Sequence, residues 1–109
     1  MGSNSKLFTA LSIGTLIEDP TNSLDWTTKI ADILPEWELQ DPVASQHATI
    51  QDILSHRTGL PRHELSYSLG QKTIDVVLSL RHLSPSAEFR EVWQYNNCEN
   101  YLPSCHYPY

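Results

Sequence analysis

Apolar positions recur at helical spacing along four stretches of the chain, and the residues between them carry the signals at which helices start and stop. In the first stretch Leu7, Phe8, Leu11, Ile13, Leu16 and Ile17 cover more than one helical face, which predicts a helix over residues 7–17 buried on several sides. Its head is the serine-dense run Gly2-Ser3-Asn4-Ser5-Lys6, with Ser3 in the capping position, and Pro20 closes the segment. Gly14, inside this helix, marks a place where another backbone is expected to approach closely. Trp26, Ile30, Ile33 and Leu34 predict a short second helix over residues 26–34, stopped by Pro35. Residues 36–48 are polar, contain Pro42 and lack a period, and read as a surface connection. A third helix is predicted over residues 49–56. There Thr49 can cap while Asp52, three residues on, completes a capping box, and Gly59 and Pro61 form a tight left-handed exit. After a polar loop over residues 62–72, a fourth helix over residues 73–83 places Ile74, Val77, Leu78 and Arg81 on one stripe, with Val76, Leu80 and Leu83 broadening it. No strand pattern and no internal repeat stand out.

Bulk properties narrow the function classes. A chain of 109 residues is of the size of a single domain. Its net charge of -6 argues against nucleic acid or an anionic membrane surface as partner. With 39% hydrophobic and 18% charged residues, and with three Trp, five Tyr and two Phe, it has the material for a folded core. Cys98 and Cys105 lie close to one end, so no disulfide framework is expected; with the adjacent His106 they match no familiar zinc spacing. His47, His63 and His82 have no carboxylate at ligand spacing and read as surface residues. No metal or cofactor is expected. The apolar run over residues 7–17 is far shorter than the roughly 20 residues of a membrane span. Glu18-Asp19-Pro20 follows it where a signal peptide would have its cleavage site, and Lys6 stands where a myristoylation motif needs Ser or Thr. These features predict a soluble chain without a targeting segment, compatible with the cytoplasm.

The candidate chemistry begins with Ser3 and Lys6, which share one helical face at (i, i+3) spacing. A serine hydroxyl becomes a useful nucleophile when a base takes its proton, and a lysine can serve if its pKa falls from about 10.4. On spacing alone, a helix cap followed by a solvated lysine accounts for the same pair.

Order and context add to the spacing. Gly2-Ser3-Asn4-Ser5-Lys6-Leu7-Phe8-Thr9-Ala10 resembles the active-site helix of the serine beta-lactamase and penicillin-binding protein superfamily. The likeness is to the branch of class C beta-lactamases, D-alanyl-D-alanine carboxypeptidases and related esterases. Ile53-Leu54-Ser55-His56-Arg57-Thr58-Gly59-Leu60-Pro61 is similar to that branch's LLsHtSGLP segment, and Tyr95-Asn96-Asn97 to its Y-x-N motif. The resemblance implies that Ser3 is the acyl-accepting nucleophile and Lys6 the partner that helps take its proton. Tyr95 would be a second base or proton relay, Asn97 an amide that binds substrate, and the Ser3 backbone amide an oxyanion donor. It further implies a small-molecule or peptide-like acyl substrate, an amide, ester or lactam. His56 and Arg57 would hold the turn together, and Phe89 and Trp93 would belong to the core.

The implied fold is mostly α, resembling the helical lobe and nucleophile helix of an α+β fold and lacking most of its antiparallel sheet. The family's third motif, K-T-G or H-x-G, has no counterpart in this sequence, nor have the strands that precede the serine helix. Residues 1–97 then read as a partial domain and residues 98–109 as a divergent tail, produced by a splice-site, frameshift or cloning boundary. Such a chain is expected to be inactive alone, and to self-associate through apolar faces that the sheet would cover. The alternative is a non-catalytic helical interaction module or a non-functional product.

Overall fold

In a computed structural model the described residues are 2–62 and 72–97. They form five helices: α1 (Ser5–Glu18), α2 (Ile30–Ile33), α3 (Pro42–His47), α4 (Ile50–Leu54) and α5 (Thr73–Ser79). Short 3-10 turns lead into α1 at Gly2–Asn4 and out of α5 at Leu80–His82. Among the described residues the only β-pairing is an isolated antiparallel bridge between Lys29 and Thr49, so the chain is mostly α, as expected. Within them, no helix is long and apolar enough to cross a membrane.

The start of α1 differs from expectation. Ser3 is not its cap: the N-cap is Asn4, whose backbone is already helical (φ -65, ψ -20) and whose side chain makes no capping bond. A capping residue needs an extended backbone to turn its side chain onto the helix amides, and the preceding 3-10 turn removes that geometry. The helix is also less buried than its apolar pattern predicts. Ile13 packs into the core and Ile17 lies against it, while Leu7, Phe8 and Leu11 are 63%, 58% and 59% exposed. What approaches Gly14 is the ring of Trp26, about 3.7 Å from where a Cβ would stand, not a backbone.

The second predicted helix shortens to α2 because local polar groups claim the backbone before it. The Asp25 carboxylate accepts from the amide and hydroxyl of Thr27, and the Thr28 hydroxyl accepts from the Asp25 amide. Beyond them the chain pairs sideways: the Ile30 amide donates to Ala48 O (2.9 Å), Ile50 to Thr28 O (3.0 Å) and Gln51 to Trp26 O (3.0 Å). Those groups cannot also serve a helix.

Residues 36–48 are not a bare connection, for they contain α3. Asp41 caps it by accepting from the Val43 amide, and Pro42 occupies the first turn, where its missing N–H costs nothing. Trp37, Leu39, Ala44 and Ala48 are all buried, and the Trp37 indole donates to Ser45 O at 3.0 Å. The capping box of α4 forms as expected: the Thr49 hydroxyl accepts from the Asp52 amide, and the Asp52 carboxylate accepts from the Thr49 amide. The apolar face of residues 73–83 buries one residue of its expected stripe and two of those that broaden it. Val76, Val77 and Leu80 are buried, whereas Ile74 and Leu78 are half-buried. The core joins these residues to Ile30, Leu34, Ile50, Ile53 and Leu60.

Candidate active site

The structure brings Ser3, Lys6, Tyr95 and Asn97 together. Ser3 Oγ lies 2.7 Å from the Tyr95 hydroxyl, and the Tyr95 hydroxyl donates to Asn97 Oδ1 at 2.7 Å. A phenol has one proton, so with that proton on Asn97 the Tyr95 oxygen accepts from the Ser3 hydroxyl. Lys6 Nζ donates to Ser3 Oγ at 3.4 Å. Two cations flank the phenol: Lys6 Nζ is 5.1 Å from the Tyr95 ring centroid and the Arg62 guanidinium 5.4 Å. Ser3 is exposed and the other three are half-buried, so the serine faces solvent with its partners behind it. Ser3 carries its amide in the 3-10 turn at the head of α1, where backbone N–H groups lack intrahelical acceptors.

Tyr95 is held there by a second layer. Residues 56–61 and 86–96 run alongside each other, with the Ser86 amide donating to Gly59 O (3.1 Å), Arg90 to Arg57 O (2.9 Å) and Gln94 to His56 O (2.9 Å). The Arg57 guanidinium donates to Arg90 O. Asn96 is fully buried; its amide donates to His56 Nδ1 at 3.4 Å and its side chain to Pro61 O at 3.0 Å. His56 and Arg57 thus hold the turn, as expected. The turn depends on left-handed backbone at His56 (φ 58) and Gly59 (φ 84).

Arg90 ties this layer to α4. Itself left-handed at φ 65, it donates through Nε and Nη2 to the two Asp52 oxygens at 2.9 and 2.8 Å. The same carboxylate accepts from the amide (2.9 Å) and hydroxyl (2.8 Å) of Thr49. Burial alone would push Asp52 up; the bonds from Arg90 and Thr49 outweigh it and hold the carboxyl below its ordinary range. Arg90 and Asn96 carry no signal of their own in the sequence beyond their nearness to the Y-x-N motif.

Trp93 departs from expectation. It is 66% exposed rather than in the core, its ring edge-on to His56 at 6.0 Å, while Phe89 is half-buried against the core with the Arg90 guanidinium 4.6 Å from its centroid. The backbone pairing just described fixes residues 90 and 94 and leaves the side chain between them facing outward. His47 and His82 are exposed as expected. His63, Cys98, Cys105, His106 and the 98–109 tail lie outside the described residues. Within the described residues no group of three His, Cys, Asp or Glu could hold a metal.

The chain is 36% identical over 104 residues to the unguisins hydrolase ungD' of Aspergillus campestris (strain IBT 28561), covering 88% of this chain and 20% of that protein. It is 38% identical over 104 residues to the unguisins hydrolase ungD of Aspergillus violaceofuscus (strain CBS 115571), covering 88% of this chain and 18% of that protein. The chain therefore spans about a fifth of the length of the curated relatives it matches. The sequence model of the Beta-lactamase family matches residues 1–102, and this chain belongs to that family.

Proposed function

We propose that the chain carries the nucleophile half of a serine acyl-transfer site that acts on an amide, ester or lactam. The observation that carries this reading is the hydroxyl line Ser3, Tyr95, Asn97 with Lys6 donating into Ser3. Ser3 Oγ bonds to the acyl carbon and gives its proton to the Tyr95 oxygen, while the Tyr95 proton passes to the leaving nitrogen or oxygen as its bond to carbon breaks. Lys6 stabilises the negative charge that develops between the two oxygens. Water then attacks the acyl-serine and restores Ser3. Acylation of Ser3 is the step that these residues support directly. The two relatives are named as hydrolases of unguisins, which favours hydrolysis as the overall reaction.

A fluorophosphonate or fluorescent penicillin tests this. One label per chain is expected, on the peptide containing Ser3, and Ser3→Ala should abolish it. A folded chain that takes no label, or a Ser3→Ala variant that labels as well as the wild type, would remove the reading.

The exposed Leu7, Phe8 and Leu11 favour a second reading, in which α1 is a contact surface through which the chain associates with itself. Sedimentation velocity over a hundredfold range of concentration should show a growing oligomer, and Phe8→Glu should return it to monomer. A monomer at every concentration would dismiss this reading.

A further inference from the structure

We infer that His56 is the positioning residue for the Tyr95 hydroxyl, an assignment that rests on the acyl-transfer reading above. His56 touches Tyr95 and both of its chain neighbours. Its carbonyl accepts from the Gln94 amide at 2.9 Å, its Nδ1 accepts from the Asn96 amide at 3.4 Å, and its ring lies 4.8 Å from the Tyr95 ring, tilted by 47°. Those contacts fix the backbone before and after Tyr95 and limit the swing of its ring. The phenol oxygen then has one place to be, 2.7 Å from Ser3 Oγ and 2.7 Å from Asn97. Trp93 stands edge-on to His56 at 6.0 Å and 6.3 Å from the Tyr95 ring.

Histidine suits the position for a chemical reason. Nδ1 accepts an N–H only while it carries no proton, which puts the proton of the neutral ring on Nε2. The backbone at φ 58 is one that most side chains resist and that Asn and His tolerate best. Asparagine can therefore stand here without added backbone strain and offer Oδ1 to the Asn96 amide, but it has no ring to set against Tyr95.

His56→Asn is thus the test, read in two ways on the full chain. With 3-fluorotyrosine incorporated and the Tyr95 resonance identified through Tyr95→Phe, the ¹⁹F signal of Tyr95 should move and broaden in His56→Asn while the melting temperature holds. With a fluorophosphonate, the maximal labelling rate should fall roughly 10-fold to 100-fold, the size expected when a reacting group is misplaced by up to an ångström, with half-saturation unchanged. In a Tyr95→Phe background, the same substitution should then cost nothing further. An unmoved Tyr95 resonance would overturn the assignment, as would a rate loss that persists undiminished without the Tyr95 hydroxyl. If the wild type takes no label, the acyl-transfer reading fails separately and the Tyr95 resonance alone decides whether His56 fixes its position.

Discussion

Asp52→Ala is expected to destabilise the fold by about 3 kcal/mol, the lower end of the cost of breaking a buried ion pair. The lower end applies because the Arg90 side chain is 49% exposed and can find water, whereas Asp52 is almost wholly buried. Four donors lose their acceptor at once: the Thr49 amide and hydroxyl, and two nitrogens of Arg90. The Thr49 groups are buried, so their loss is not made good by solvent. Against the 5–15 kcal/mol typical of a whole domain this is a large share, and a urea midpoint would show it. The pH dependence carries a definite sign. The folded Asp52 carboxyl lies below its ordinary 3.8, so its stabilisation is complete above that value and is lost as pH falls through the lower folded value. Wild-type stability should therefore drop below about pH 4 more steeply than that of Asp52→Asn. Parallel acid curves for the two would show that Asp52 is not the group concerned.

Gly59→Ala is expected to be of comparable size, by a different route. At φ 84 an L-residue costs roughly 1–2 kcal/mol. The added Cβ would also stand 2.4 Å from Ala87 O and 3.3 Å from Glu88 O, backbone atoms that cannot rotate away. Overpacking of this kind costs about 1–3 kcal/mol more. Gly59→Asn separates the contributions, since asparagine relieves the dihedral cost but keeps the clash; little of the lost stability should return. Thermal unfolding of both variants is the measurement, and a full recovery in Gly59→Asn would show that the close approach of residue 87 is not limiting.

The local parts of this structure were legible in the sequence, and the long-range parts were legible only through family likeness. The Thr49 and Asp52 capping box and the left-handed Gly59 are set by residues within a few positions of each other, and both formed as read. Ser3 and Lys6 likewise face each other across one turn. α3 is hidden because residues 36–48 are polar and show no apolar period, although Asp41 before Pro42 makes a helix start. Residues 26–29 read as helix because their apolar spacing says nothing about the carbonyls of residues 26, 28 and 48 across the bridge. Arg90 and Asp52 are 38 positions apart, and nothing in either one's neighbours announces the other. Ser3 reads as a cap from its neighbours, but it sits in the 3-10 turn before Asn4, with its hydroxyl on Tyr95.

That meeting has a kinetic consequence. Ser3 and Lys6 meet Tyr95 across about 90 positions, at the end of a helix anchored mainly by Ile13 with Ile17 packed behind it. Closing so long a loop gains little from any single contact, so the nucleophile joins its relay late in folding and leaves it early. Reactivity at Ser3 would then serve as an internal gauge of assembly: it would vanish under denaturant before the helical signal does, and the first thing the molecule forgets on unfolding would be its chemistry.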